Sequence, residues 1–167
     1  VPAAPSQLSI IALDETRPKV TSSTPQTGAN GGWIDASALT YKITRLPDSI
    51  VVAETTTGNE YIDNSITKLN IYSYQIQAIT PDGAGPTATT DRLVMGPALT
   101  VPYRCNFATD DQFALWNVTD ANNDEYTWKR ETTLAAAYYS YNEDGETGGD
   151  DWLVSSPIHL EKNKIYR

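Results

Sequence analysis

Apolar and polar residues alternate most regularly in the segment 69–83. Every second position from Tyr72 to Ala78 is apolar, and serine or glutamine fills the positions between them. Because successive side chains of a strand point to opposite faces, this pattern predicts a strand of an antiparallel sheet that packs on one side only. The run Pro81-Asp82-Gly83 then predicts a turn that reverses the chain.

Weaker versions of the same pattern precede and follow this strand. Short apolar runs bounded by turn residues predict further strands near 8–12, 19–23, 39–45, 50–53, 61–63 and 87–94. Seven short strands in about 95 residues, with turn signals at regular spacing, are typical of a β-sandwich. The segment closest to helical periodicity is 132–141, which is short and rich in tyrosine. The chain is therefore predicted to be all-β.

The residues of the first segment carry a family resemblance. The motifs are Pro5-Ser6-x-Leu8-x-Ile10, Leu39-Thr40-Tyr41-x-Ile43-x-Arg45, Tyr61-x-Asp63 and Leu69-x-x-Tyr72-x-Tyr74-x-Ile76-x-Ala78. Residues 1–96 thereby resemble a fibronectin type III domain, an immunoglobulin-like sandwich of seven strands in two sheets. The resemblance implies that Tyr72 is the tyrosine-corner residue, whose hydroxyl bonds to nearby backbone. Where the family usually has a large apolar side chain, this sequence has Ser22, and Trp33 is expected to fill the gap.

A boundary near residues 95–99 separates a second segment, 97–167, which holds three of the four tryptophans. Its motifs are Trp116-x-x-x-Asp120-x-Asn122-x-Asp124-x-x-x-Trp128 and Asp150-Asp151-Trp152-Leu153-x-Ser155-x-Pro157. Together they resemble the cleaved-adhesin or choice-of-anchor family, which is related to MAM-like domains and occurs in bacterial surface proteins. The resemblance implies a β-jelly roll used in adhesion or in binding glycan and host protein, often with structural calcium.

The acidic loop between the two tryptophans is the candidate metal site. Asp120, Asn122 and Asp124 place three hard oxygen ligands at alternate positions, as Ca²⁺ requires. Glu131 sits where an EF-hand has its bidentate glutamate, but Glu125 replaces the required glycine and no helices flank the loop, so an EF-hand is rejected. Further acidic candidates are Asp150 and Asp151, and more weakly Asp110 and Asp111. The alternative interpretation is a solvated acidic hairpin.

The second segment is short for the fold it resembles. A jelly roll needs about eight strands, and half of one leaves unpaired edges and an open apolar face. The prediction is therefore a truncated jelly roll within a fragment of a longer surface protein; completion by another chain and a smaller fold are the alternatives. Trp116 and Trp128 are expected to pack in a core and to anchor both ends of the acidic loop. The alternative is that their rings form a surface on which a ligand binds.

The net charge and the cysteine content limit the classes of partner and of site that fit this chain. The formal charge of −9 argues against nucleic acid and against an anionic membrane surface. No transmembrane run or signal peptide is present, and the chain opens on Val1, so a mature or trimmed exported protein is expected. Cys105 is alone and cannot form a disulfide framework or a thiolate metal site.

No catalytic constellation is visible in the sequence. His159 is the only histidine, and no serine stands in a nucleophile elbow. Asp150 and Asp151 are adjacent, so on a strand they face opposite sides and cannot share a substrate. The chain is therefore predicted not to be an enzyme.

Two functions fit these observations. The first is a non-catalytic module of a secreted or cell-surface bacterial protein that binds glycan or host protein, with Ca²⁺ as a structural ion. The alternative is a spacer or accessory domain of a larger extracellular enzyme such as a protease or glycosidase. In both, the expected partners include further domains of the same longer chain, and neither involves insertion into a membrane.

Overall fold

The computed structural model describes residues 1–139 and 149–167. The chain divides into two compact units, Val1–Pro97 and Ala98–Arg167. Strands are the main regular structure in both units, as predicted. The helical elements among the described residues are one 3₁₀ turn at Ala36–Ala38 and one short helix, α1 (Asp110–Ala114).

The first unit contains eight strands. They are β1 (Ser6–Ala12), β2 (Pro18–Ser23), β3 (Thr40–Leu46), β4 (Ile50–Thr56), β5 (Glu60–Ile62), β6 (Asn70–Thr80), β7 (Gly83–Thr89) and β8 (Leu93–Met95). One sheet has the order β1-β2-β5, and the other has the order β4-β3-β6-β7 with β8 also paired to β6. All these pairings are antiparallel. This is the predicted immunoglobulin-like β-sandwich, except that the strand expected over 87–94 is two strands, β7 and β8.

The core of the sandwich lies between the two sheets and follows the alternation in the sequence. Along β6, every second side chain from Tyr72 to Thr80 is buried. The register sets Ile76 of β6 opposite Ile43 of β3 and Ala78 opposite Tyr41, so the buried positions of both strands share one face. Val20 of β2 joins this cluster from the other sheet.

The tyrosine corner is present. The Tyr72 hydroxyl donates a hydrogen bond to the Lys68 carbonyl oxygen at 2.8 Å, which ties β6 to the segment that precedes it. Buried phenols need such a partner, because leaving the hydroxyl unbonded costs free energy. The prediction made for Tyr72 is therefore confirmed.

A buried ion pair extends inward from this corner. Asp63 is wholly buried, and its carboxylate accepts hydrogen bonds from Arg45 Nη1 at 2.9 Å and from the Tyr74 hydroxyl at 2.7 Å. Asp48 binds the outer side of the same guanidinium, with Nη2 to Oδ2 at 2.6 Å. Burial raises the pKa of Asp63, but hydrogen bonds from Ser65, Tyr74 and Arg45 outweigh burial and hold that pKa below 3.8.

The expectation that Trp33 fills the place of the missing large side chain is wrong. Trp33 is 86% exposed, whereas Ser22 is buried. A small cavity of about 10 Å³ lies against Ser22, Tyr61 and Ile76 instead. Ile34 is the loop residue that packs on the core, and this directs the neighbouring tryptophan outward.

The second unit contains six strands in the part that the structure describes. They are β9 (Leu99–Thr100), β10 (Asn117–Asp120), β11 (Trp128–Glu131), β12 (Ala136–Tyr139), β13 (Asp151–Val154) and β14 (Ile158–His159). They pair two by two, as β10 with β13, β11 with β12, and β9 with β14. Pro157 lies in the break between β13 and β14, where its missing N–H costs no ladder hydrogen bond. A jelly roll for this segment stays a prediction.

Candidate functional site

Two loops meet at one end of the sandwich because of the strand register. Thr40 at the start of β3 lies opposite Ile79 near the end of β6, so the segment that leads into β3 and the turn after β6 emerge side by side. These are the segment 24–39 and the turn at Pro81 and Asp82. We call this the loop end of the sandwich.

The loop that leads to Trp33 is held by its own main chain. Gly28 N donates to the Gly32 carbonyl at 2.7 Å, and Gly31 N donates to the Gly28 carbonyl at 2.9 Å. Gly31 has φ +79°, a left-handed conformation that favours glycine. Ala29 N also donates to the Val1 carbonyl at 3.1 Å, which fastens the loop to the segment that precedes β1. The glycine-rich run 28–32 therefore forms a closed turn that leads directly to Trp33.

A cavity of about 500 Å³ opens beside this tryptophan. Its walls include Trp33, Ile34 and Asp35 from the first loop and Pro81 and Asp82 from the turn. We call it the loop-end cavity. Two carboxylates, one indole ring and the main chain of a glycine turn thus surround one open volume of the size that small ligands occupy.

Asp35, in the wall of the loop-end cavity, also caps the 3₁₀ turn. Its Oδ1 accepts hydrogen bonds from Ser37 N at 3.0 Å and from Ser37 Oγ at 2.6 Å, which caps the 3₁₀ turn. These bonds, with that from the Ser37 hydroxyl the largest cause, hold the pKa of Asp35 below 3.8. Asp35 is therefore a negative charge fixed in direction by the turn that it caps.

A cavity of about 540 Å³ lies at the opposite end of the sandwich, beside Arg45, Asp48, Lys68 and Tyr72. Arg45 is bonded to Asp48 and Asp63 and lies 5.4 Å from the centroid of the Tyr72 ring. The bonds of the guanidinium are thus used within the fold. The end of the sandwich that holds Arg45 is therefore better explained as part of the tyrosine corner than as a binding site.

The predicted acidic site lies in the second unit, directly after β10. Asp120 ends that strand, and its two carboxylate oxygens accept hydrogen bonds from Asp124 N at 3.2 Å and from Glu125 N at 2.9 Å. The Asp124 carboxylate accepts from Tyr126 N at 2.9 Å and from Asn122 Nδ2 at 3.0 Å. The structure therefore brings Asp120, Asn122 and Asp124 together, with their side chains folding the loop around main-chain donors.

Asp151 joins this loop through the sheet. It lies opposite Asp120 in the register of β10 and β13, and its Oδ2 accepts a hydrogen bond from the Tyr139 hydroxyl at 2.8 Å. That bond is the largest of the causes that raise the pKa of Tyr139 to about 12, with smaller contributions from burial and from Asp120 and Asp124. Asp151 Oδ1 is buried and has no hydrogen-bond partner among the described residues.

The other acidic candidates lie in separate places, and two of them have side-chain partners. Glu131 accepts a hydrogen bond from Thr133 N at 2.7 Å, and Asp110 forms an ion pair with Arg130 at 2.7 Å. Asp111 lies in the first turn of α1, and the Asp150 carbonyl accepts from Ala121 N at 3.2 Å. Within residues 1–139 and 149–167, no three aspartate, glutamate, histidine or cysteine side chains form a group that could hold a metal ion. The calcium site stays a prediction.

The two tryptophans that flank the acidic loop are half-buried. Trp116 packs on Phe107 with ring centroids 5.3 Å apart, and Trp128 meets Tyr139 edge-on at 5.6 Å. Trp128 Nε1 also reaches the Asp151 carbonyl at 3.4 Å. Both rings therefore serve as packing anchors. Trp33, which was expected to fill a gap in the core, is instead 86% exposed, and Trp152 of β13 is 61% exposed.

Comparisons with known proteins give fold-level likeness at low identity. The chain is similar to a solved structure described as FN3tt mut, with 19% identity, 58% of this chain and 99% of that chain covered, and a TM-score of 0.44. It is also similar to the FN5 domain of Drosophila Lar, with 16% identity, coverage of 59% and 100%, and a TM-score of 0.40. A myokine structure aligns with 14% identity, coverage of 57% and 97%, and a TM-score of 0.38.

No family model matches the chain, and no curated protein matches it. Among the described residues, no helix has the length and apolar character needed to cross a membrane. The sandwich assignment rests on the sheet order, the register and the tyrosine corner described above.

Proposed function

We propose that this chain is a non-catalytic binding module of a longer exported protein, and that it binds its ligand at the loop end of the first sandwich. The observation that carries the proposal is the exposure of Trp33 beside the loop-end cavity. A tryptophan that is 86% exposed on a hydrogen-bonded loop contributes little to the packing of the core, whereas most tryptophans are largely buried. Tryptophan is also among the residues that contribute most of the binding energy at interfaces. Adhesion to a host protein or glycan is the role expected for such a module.

The scaffold supports this reading. Loops at the end of an immunoglobulin-like sandwich carry binding residues on a rigid frame, because the sheets fix where each loop begins and ends. Three features hold this frame: the buried ion pair of Arg45 and Asp63, the tyrosine corner, and the core between the two sheets. The rival function, a spacer, requires none of the loop-end features.

A fragment titration tests the proposal. The probes are a panel of amino acid amides and methyl glycosides, and the readout is the set of amide and indole N–H resonances that shift. At least one probe is expected to shift Gly31, Trp33 and Asp82 and to lose its effect in Trp33→Ala. Shifts confined to other surfaces, or none with any probe, would favour the spacer. Tyr126→Ala, which removes an exposed aromatic from the second unit, is the control variant.

Calcium binding in the acidic loop is a second proposal. It is supported by the approach of Asp151 to Asp120 and by the buried, unpartnered Asp151 Oδ1, which a cation would satisfy. Asp120, Asn122, Asp124 and Asp151 carry oxygen atoms of the kind that Ca²⁺ prefers. No three acidic side chains of the described residues form a metal-binding group as they stand, so the loop would have to close around the ion. When bound, the ion would supply positive charge that offsets these carboxylates and stabilises the loop.

Thermal unfolding with millimolar Ca²⁺ and with chelator tests this proposal, since an ion that binds the native state alone raises the transition. The rise is expected to vanish in Asp124→Ala and to persist in Asp111→Ala, which removes the same charge from α1. A transition that ignores Ca²⁺, or an equal loss in both variants, would rule the site out.

A further inference from the structure

The walls of the loop-end cavity carry an unbalanced charge. Asp35 and Asp82 are both exposed there, and none of the lining residues is a lysine, arginine or histidine. The side chains of the cavity therefore offer negative charge and hydrogen-bond acceptors to a ligand, and its main apolar surface is an indole ring.

We infer that the loop-end cavity receives a lysine or arginine side chain from a basic segment of a partner protein. The inference rests on the binding function proposed above and names the chemistry of its ligand. Trp33 would lie against the cation with its ring face, and Asp35 and Asp82 would accept its hydrogen bonds.

The indole ring is the first reason. Tryptophan has the strongest cation–π attraction of the aromatic side chains, and a guanidinium can stack on its face while its edge donates to carboxylates. Trp33 makes this face available because Ile34 next to it holds the chain by packing on the core. The ring is presented without having to leave a packed position.

The carboxylates are the second reason. Ser37 bonds to Oδ1 of Asp35, and no side chain of the described residues bonds to Oδ2 of this exposed carboxylate. Asp82 lies at the apex of the turn between β6 and β7 and is likewise exposed, with no bond to a side chain in the described part of the chain. Two acceptors held by separate loops suit the several donors of a guanidinium or an ammonium group.

The net charge of the chain is the third reason. A formal charge of −9 attracts a basic partner and speeds its encounter, and this gain does not exist for a neutral ligand. A neutral saccharide could stack on the same indole face, but it would gain no charge attraction from the two carboxylates. The cavity and the whole protein thus favour the same sign of ligand.

Titration with an acetylated tri-arginine amide tests the inference, with the same peptide made from citrulline as the matched probe. Citrulline keeps the shape of arginine and removes its charge. The arginine peptide is expected to shift the Trp33 indole resonance and to bind about tenfold more tightly than the citrulline peptide, with the advantage shrinking as salt is added.

Paired variants locate the charge effect. Asp82→Asn is expected to weaken the binding of the arginine peptide about fivefold. Asp91→Asn removes the same charge from the segment between β7 and β8, and it is expected to leave the affinity nearly unchanged. Equal weakening by both variants would mean attraction to net charge only and would overturn the inference. Thermal unfolding of both variants confirms that each is folded.

The outcome also separates this inference from the function on which it rests. If a methyl glycoside shifts Trp33 and the arginine peptide does not, the loop end binds ligand but the ligand class inferred here is wrong. If neither probe shifts Trp33, both fail.

Discussion

Val20 of β2 and Val154 of β13 hold comparable places in the two units, since each lies within a strand and on a side shared with other apolar residues. Val20 is 1% exposed and Val154 is 49% exposed. The difference extends to the units as wholes. Ten buried hydrophobic residues form one core in the first unit, whereas among the described residues of the second unit the only buried side chain is Ser156.

The two units differ in what faces their strands. In the first, a sheet of three strands and a larger sheet cover each other, so one face of each strand is removed from water. In the second, strands pair two by two within the described chain, and Trp152 and Val154 of β13 are exposed to solvent. Alternation in a sequence supplies an apolar face, but burial requires a second layer to receive it.

The largest expected effect contrasts two nearly buried arginines. Arg45 pairs with the wholly buried Asp63, and Arg130 pairs with the exposed Asp110. Arg45→Met is expected to lower the free energy of unfolding by about 3–5 kcal/mol, because it leaves a carboxylate buried without its cation. Arg130→Met also loses hydrogen bonds to the carbonyls of Phe107 and Ala108, and about 1–3 kcal/mol is expected. Denaturant unfolding measures both.

Arg17→Met is the surface control for this pair. Arg17 binds Asp14 three residues away, as Arg45 binds Asp48, but both partners are exposed. Little change in unfolding is expected. Equal losses in Arg17→Met and Arg45→Met would show that burial of Asp63 does not set the cost.

The next effect compares the two valines directly. Val20→Ala is expected to cost about 1.5–3 kcal/mol, since it removes buried apolar surface and leaves a cavity. Val154→Ala is expected to stay within about 0.5 kcal/mol of the unchanged protein. Thermal and denaturant unfolding provide both values. A comparable loss in Val154→Ala would mean that the exposed face of β13 is covered in solution.

The pH dependence of the first unit gives a smaller effect. The pKa values of Asp63 and Asp48 lie below 3.8 in the folded chain, so the ionised carboxylates favour folding. Their contribution is complete well above pH 3.8 and is lost as the pH falls below that value through the folded-state pKa values. The melting temperature is expected to fall in this acid range.

Asp63→Asn isolates the buried carboxylate in that experiment. The variant starts less stable at neutral pH, and its melting temperature is expected to fall less steeply in acid because one lowered pKa is gone. Parallel acid curves for the two proteins would assign the pH dependence to other groups, such as the exposed Asp14 and Asp35.

Much of the first unit could be predicted from sequence, because strand faces follow local alternation. The buried side of β6 followed from the alternation within that strand, and the bond from Tyr72 followed from the family resemblance. Arg45 stood on the apolar side of β3 with Tyr41 and Ile43, and this was a signal for a buried partner. The partner itself is 18 residues away in sequence, a separation that no local pattern encodes.

The candidate sites were harder to predict for the same reason. The approach of Asp151 to Asp120 depends on a pairing across about 30 residues of chain. The place of Trp33 depends on a choice between two adjacent apolar residues, and Ile34 takes the core position. The readable signal was a tryptophan directly after two glycines in a turn, with an aspartate two residues later.

Native-state hydrogen exchange of the whole chain tests the difference between the units most directly. Amides of β3 and β6, such as those of Ile43 and Ile76, are expected to exchange only through global unfolding of the sandwich. Amides of β10 and β13 are expected to exchange through local opening with a much smaller free energy, because few buried contacts hold those strands. Equal protection in β6 and β13 would contradict the account, since it would require a core in the second unit as complete as that of the first.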